Sequence, residues 1–313
     1  MGRYTPRMQK LSMIAGLLLW AGVQGAQAPP PPEVYLAGFS VSGGKVTLTE
    51  PVNISNNAAY DNQPTFTPDG GAILFTSVRG DRKPDPKVAA ATGSDIYRFD
   101  IASGKLSQLT TTNESEYSPT VTPDGRSFSV IQVEADGTQR LWRFPMAGGA
   151  KAELVLTDIK PVGYHAWADA STLALFVLGE PATLQLADTR TGKGEILARN
   201  IGRSLQRIPD GGISFVQRET SDSGQTVTVM RLDPATKKIT PLVRVIEGVR
   251  DPDLAWTPDG LLLLAAGGKL HGWRQGETQF QPVADLEGAG LRGATRMAVS
   301  PKGDRLAIVA SPQ

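Results

Sequence analysis

A turn that keeps returning constrains this chain more than any other feature. Pro-Asp-Gly stands at Pro68-Asp69-Gly70, Pro123-Asp124-Gly125, Pro209-Asp210-Gly211 and Pro258-Asp259-Gly260. A variant follows at Pro301-Lys302-Gly303-Asp304, and a degenerate copy sits at Trp167-Ala168-Asp169-Ala170-Ser171. The marks fall at 68, 123, 169, 209, 258 and 301, a period of roughly 46 residues. The chemistry is that of a tight turn: proline presets one backbone angle, aspartate accepts from nearby amides, and glycine tolerates positive φ.

Around each mark lie short apolar runs separated by Gly, Asp, Pro and Asn, with no sustained helical period. The first unit reads as four strands: one leading into Pro68, then Ala72–Ser77, Asp95–Asp100 and Leu106–Thr110. The second repeats it with Ser127–Val133, Arg140–Phe144 and Glu153–Thr157. A four-stranded unit cannot bury both its faces alone, whereas six of them stacked radially bury each sheet against two neighbours. The spacing therefore predicts an all-β, six-bladed β-propeller over residues 34–313. After Arg305–Ser311 the last unit has only two strands, and the missing pair is found at Val34–Val41 and Val46–Thr49. Pairing them in one blade closes the ring and hides edges that would otherwise invite aggregation.

Ahead of the repeats, Arg3, Arg7 and Lys10 precede the short apolar run Leu11–Val23, the pattern of a secretory signal peptide over residues 1–28. Cleavage after Gly25 and cleavage after Ala28 both remain open. Residues 29–33 then form a proline-rich spacer. Loss of the three basic residues turns a net charge of +1 into about −2, so no broad basic field exists to hold nucleic acid. The expectation is a periplasmic or secreted monomer with no transmembrane anchor after cleavage. Absence of cysteine removes disulfides, thiolate metal sites and cysteine nucleophiles.

Tyr117-Ser118-Pro119-Thr120-Val121-Thr122-Pro123-Asp124-Gly125 and Phe75-Thr76-Ser77-Val78-Arg79-Gly80 followed by Asp95-Ile96-Tyr97 resemble the WD40-like repeats of TolB-type propellers. The resemblance covers about residues 34–313, strongest in the first two units. It implies a six-bladed propeller of the periplasm or exterior. Complete TolB proteins also carry an α/β domain ahead of the propeller, which nothing before residue 34 resembles. Similar propellers accompany prolyl oligopeptidase-type hydrolases, but the chain has no Gly-x-Ser-x-Gly element.

Enzyme signatures are missing throughout: no His-Glu-x-x-His, no phosphate loop, no EF-hand loop. Of the two histidines, His271 belongs to a third strand, and His165 to an innermost one beside Tyr164 and Trp167. Counting five to seven residues back from each turn mark gives Asp61, Asn62 and Gln63; Glu116 and Tyr117; Tyr164; Arg203 and Ser204; Asp251 and Asp253; and Thr295 and Arg296, of which Asp61, Glu116, Tyr164, Arg203, Asp253 and Arg296 are taken as the candidate channel rim. Such a ring could bind a polar ligand, a peptide segment or Ca²⁺. The long charged connection Val78–Ser94 is a further candidate for partner contact. These features favour an exported, non-catalytic propeller that serves as an interaction or assembly scaffold for an envelope protein partner, with no cofactor required. The alternative is a lactonase-type or glycan-processing hydrolase with Ca²⁺ or a carboxylate pair, drawn from Asp61, Glu116, Asp251 or Asp253, in the channel.

Overall fold

The computed structural model describes residues 31–80, 92–148, 151–221 and 224–312. The segment read as a signal peptide and most of the Val78–Ser94 connection lie outside the described residues. Every strand pairing is antiparallel, and the strands form six sheets. Blade 1 contains Asp61–Phe66, Ala72–Ser77, Asp95–Asp100 and Leu106–Gln108. Blade 2 contains Ser115–Val121, Ser127–Val133, Gln139–Pro145 and Glu153–Leu154, and blade 3 contains Val162–Trp167, Thr172–Val177, Thr183–Asp188 and Lys193–Arg199. Blade 4 is built from Gln206–Arg207, Ile213–Ser221, Gly224–Leu232 and Ile239–Arg244, and blade 5 from Leu254–Trp256, Leu262–Ala266, Lys269–Trp273 and Gln281–Asp285. No helix among the described residues is long and apolar enough to cross a membrane.

Blade 6 joins the two ends of the chain. Met297–Val299 pairs with Arg305–Ala310, which in turn pairs with Glu33–Ser42, so that Glu33 lies opposite Ala310 and Gly38 opposite Arg305. The outermost strand comes in two pieces rather than the single run the sequence suggests: Lys45–Leu48 pairs with the far half of Glu33–Ser42, and Val52–Asn53 with Tyr35 and Leu36. Between them Thr49 folds onto Gly38, donating its amide to the Gly38 carbonyl at 3.0 Å and accepting the Gly38 amide on Oγ1 at 2.7 Å. A Cβ at residue 38 would lie 2.7 Å from Thr49 Cγ2, so this crossing requires glycine.

Packing follows the radial logic. The second strand of each blade is sandwiched on both faces, which is why Ala72–Ser77 is buried along its whole length and why Phe75, Phe128 and Phe215 are fully enclosed. The outer strand Lys193–Arg199 of blade 3, with one face in water, is mostly exposed. The buried apolar residues fall into six clusters, each spanning one junction between adjacent blades.

The recurrent turns are rigid because the residue before the proline also takes part. Thr67 Oγ1 donates to Asp69 Oδ1 at 2.6 Å and accepts the Ala72 amide at 2.9 Å, while Asp69 Oδ1 accepts the Gly71 amide at 2.9 Å. The same arrangement recurs at Thr122 with Asp124 and at Thr257 with Asp259, and these bonds hold the three aspartates below their ordinary pKa. Turns of neighbouring blades also touch. A Cβ on Gly70 would meet Pro301 of blade 6, one on Gly125 would meet Pro68 of blade 1, and one on Gly303 would meet Pro258 of blade 5, all at 3.4–3.6 Å. No such neighbour stands within 4 Å of Gly211 or Gly260. Clefts of about 370 and 590 Å³ lie there, between blades 3 and 4 and between blades 4 and 5.

Candidate functional site

The innermost strands surround a central cavity of about 400 Å³. Its lining includes Gln63, Ser118, Tyr164, Arg203, Asp253 and Arg296 at one end and Pro68 and Pro123 of the turns at the other. Between them run apolar walls from Phe66, Val121, Trp167, Leu205, Leu254 and Met297.

At the polar end, Arg296 of blade 6 reaches four neighbours. Its Nη2 donates to the Tyr164 hydroxyl at 2.6 Å, its Nη1 to Asn62 Oδ1 at 3.0 Å, and its Nε stands 3.3 Å from Asp253 Oδ1. The guanidinium carbon also lies 5.3 Å from the centre of the Tyr164 ring, a cation–π distance. Tyr60 lies in the same field: burial raises its pKa, and Arg296 opposes that rise. Asp253 completes the group by accepting from Arg203 Nη2 at 2.9 Å on Oδ2. Blades 1, 3, 4, 5 and 6 are thereby joined across the mouth by side chains far apart in sequence.

The structure thus brings Tyr164, Arg203, Asp253 and Arg296 to the cavity, and it sets Asp61 and Glu116 elsewhere. Asp61 is fully buried at the junction of blades 6 and 1, its charge partner being Arg79, whose Nη2 is 3.5 Å from Oδ1. Arg79 also donates from Nε to Ser77 Oγ at 2.8 Å and from Nη2 to the Ser55 carbonyl, and its guanidinium covers the Tyr97 ring. Nearby, Glu33 accepts from Ser55 Oγ at 2.7 Å. Burial pushes the Asp61 pKa up from 3.8 to about 6. Glu116 is likewise fully buried, accepting from Thr110 Oγ1 at 3.1 Å, from Gln132 Nε2 at 3.2 Å and from Thr112 Oγ1. Asp251 pairs with Arg218.

Two bulges account for this displacement. In blades 1 and 2 the register slips between Asn62 and Thr65 and between Tyr117 and Thr120, and Gln63 and Ser118 take positive φ values of 60° and 54°. The slip carries Gln63 and Ser118 to the channel, while Asp61 and Glu116 enter the blade junctions. Counted from the turn marks, the channel position lies five residues back at Gln63, Ser118, Tyr164, Asp253 and Arg296. That constant offset is the signal a five-to-seven window blurs.

His165 belongs to a different arrangement. Its Nε2 is 2.6 Å from Ser129 Oγ, which also accepts from Trp167 Nε1 at 2.9 Å and lies 3.3 Å from the Thr120 carbonyl. With the Ser129 hydroxyl donating to Thr120 and accepting from both rings, His165 carries its proton on Nε2. Its buried Nδ1 has no partner among the described residues. Burial drives the His165 pKa down from 6.5 to about 3. Trp256 of blade 5 makes the equivalent bond to Ser214 Oγ of blade 4 at 2.9 Å, which identifies the Trp–Ser bond as a clamp between blades. His271 stands on the third strand of blade 5 opposite Leu264, away from the cavity lining.

A divalent cation of the Ca²⁺ type takes six to eight oxygen ligands. The mouth supplies one carboxylate already facing two guanidiniums, and among the described residues no group of three His, Asp or Glu side chains stands together. At the mouth the lone carboxylate is already matched by two guanidiniums, an arrangement that disfavours a cation there.

No protein-family model matches the sequence, and no curated protein does. Solved structures do. A putative TolB from Agrobacterium tumefaciens superimposes with a TM-score of 0.65 at 16% identity, covering 90% of this chain and 99% of that one. TolB from Acinetobacter baumannii gives 0.56 at 15% identity, over 89% of this chain and 64% of that one. An oligogalacturonate lyase in complex with manganese gives 0.56 at 12% identity, over 86% and 83% respectively. The likeness is one of fold: the chain has the six-bladed propeller architecture found in TolB proteins.

Proposed function

We propose that this chain is an exported, non-catalytic propeller that acts as a protein-interaction or assembly scaffold of the bacterial cell envelope, with the polar mouth of the channel as its binding surface. The observation that carries this reading is the cross-linked group Tyr164–Arg296–Asp253–Arg203. Side chains from separate blades are held in place before any ligand arrives, so binding incurs little ordering cost. Tyrosine and arginine are also the residue types that most often anchor protein interfaces. Export rests on the charged start and short apolar run of residues 1–28.

The oligogalacturonate lyase among the similar folds gives a specific reason to weigh a hydrolytic or lytic enzyme. Hydrolysis of a glycoside ordinarily places two carboxyl groups about 5–9.5 Å apart across the substrate. Among the described lining residues Asp253 is the one carboxylate, which counts against hydrolysis of that kind.

Site-specific photocrosslinking in the host envelope tests the reading, with the reactive group placed at Tyr164 and, as a control, at the exposed Ile196 on the outer strand of blade 3. Discrete protein adducts from position 164 and none from 196 are expected. Identical adducts from both, or none from either, would overturn it. N-terminal sequencing of the same material is expected to begin at Ala26 or Pro29, and an intact Met1 would refute export by cleavage.

A further inference from the structure

We propose that the channel mouth is a carboxylate-binding site for an acidic segment of a partner protein, with Arg203 and Arg296 as its anchors, Arg207 as a second cation further in, and Asp253 occupying the anchors until the partner arrives. This rests on the reading of the mouth as a protein-binding surface and names the chemistry that surface selects.

Charge comes first. The whole chain is nearly balanced, with 32 basic against 31 acidic residues, yet the cavity lining holds Arg203, Arg207 and Arg296 against Asp253 alone. His165, kept neutral by burial, does not alter that excess. The positive charge is therefore local to the channel, where walls of low polarity strengthen its field.

Arg203 directs Nε and Nη2 at Asp253, at 3.4 and 2.9 Å, so its Nη1 edge has no acceptor among the described residues. Guanidinium forks bind carboxylates through two parallel N–H donors, and one such fork is left here on a side chain that is 37% exposed. Asp253 shows that the place between Arg203 and Arg296 accepts a carboxylate. An incoming one can share or take over that position without rebuilding the mouth, since Tyr164 and Asn62 hold Arg296 independently.

The Arg207 side chain is exposed and has no hydrogen-bond or ion-pair partner among the described residues. Arg207 follows Arg203 by four residues, at most about 14 Å along an extended chain. Two cationic stations with an apolar stretch at Leu205 between them suit an extended segment bearing more than one carboxylate. A volume of about 400 Å³ lies within the usual range of ligand sites.

Titration calorimetry of the purified mature protein with tetraglutamate, tetraglutamine and glutarate tests the proposal, comparing wild type with Arg203→Gln, Arg203→Gln/Arg207→Gln and Asp253→Asn. All three sites are at least partly accessible, and matching melting temperatures will establish that the variants fold. Tetraglutamate should bind saturably and weaken with salt. Arg203→Gln should loosen it about tenfold or more and the double variant further, while Asp253→Asn should tighten it several-fold by removing the internal competitor. No saturable binding of tetraglutamate, equal affinity of wild type and Arg203→Gln, or equal binding of tetraglutamine would overturn the site. Glutarate binding as tightly as the peptide would overturn the assignment to a protein segment. Envelope adducts from position 164 without tetraglutamate binding would refute the carboxylate site and leave the scaffold reading intact. Peptide binding without adducts would do the reverse.

Discussion

Replacing Asp61 by Asn tests the seam between blades 6 and 1 quantitatively. The carboxyl is fully buried with Arg79 at 3.5 Å, and burial raises its pKa from 3.8 to about 6, while Ser77, Arg79 and Asn57 pull it down and Glu33 adds to the rise. The folded chain thus holds this proton more tightly than the unfolded one. Between pH 3.8 and about 6 the native state carries the extra proton, and stability is lost as pH rises through that window. At about 1.36 kcal/mol per pH unit the loss approaches about 3 kcal/mol by pH 7. Arg79, 20% exposed and screened by solvent, offsets only part of the rise. Asn cannot titrate. The stability of Asp61→Asn relative to wild type should therefore climb by up to about 3 kcal/mol between pH 3.5 and 7, roughly 6 °C in melting temperature for a domain of this size. His165 acts in the opposite sense: its folded pKa of about 3 lies below 6.5, so its contribution is lost as pH falls through the same range. It is present in both proteins and cancels in the difference. Thermal unfolding of the pair from pH 3.5 to 7.5 is the assay. A gap that stays flat, or that shrinks as pH rises, would refute the reasoning.

Three other outcomes follow from the packing. Ser129→Ala strips an acceptor from both Trp167 Nε1 and His165 Nε2 and should cost about 2–4 kcal/mol in urea unfolding, whereas a loss below about 1 kcal/mol would deny the clamp. Deleting residues 33–48 uncovers the edge of Arg305–Ala310 and should cause aggregation or loss of cooperative unfolding; a monomer with unchanged melting would count against closure. Gly125→Ala forces a side chain onto φ of 69° and should cost about 1–2 kcal/mol in the same urea assay, a prediction that unchanged stability would defeat.

The architecture was legible because its turns carry their own chemistry. Even blade 3, which lacks both proline and glycine at its mark, retains Asp169, whose Oδ1 accepts the Ser171 and Thr172 amides at 2.8 and 2.9 Å. Ser127–Val133 and Asp95–Asp100 could be read to the residue, since turn signals bound them. The split outer strand of blade 6 was not legible, because it depends on Thr49 meeting Gly38 across the hairpin. At the site, Tyr164, Arg203, Asp253 and Arg296 followed from repeat position alone. Asp61 and Glu116 did not, because Gln63-Pro64 and Ser118-Pro119 look like ordinary strand residues until the bulges appear. Gln206–Arg207 shows the complementary limit: a strand of two residues leaves no periodicity to read, yet it sets Arg207 in the channel.

The glycine-on-proline contacts run without interruption from blade 5 through blades 6 and 1 to blade 2 and stop there. Among the described residues neither such a contact nor a Trp–Ser bond crosses from blade 3 to blade 4, and a cleft opens there. That junction lies across the ring from the seam between blades 6 and 1. The ring is therefore least tied opposite its seam, and it should breathe between blades 3 and 4 rather than unzip where Glu33–Ser42 meets Arg305–Ala310. Tyr164 and Arg203 flank that junction, so that widening it pulls first on the bond from Arg296 to Tyr164.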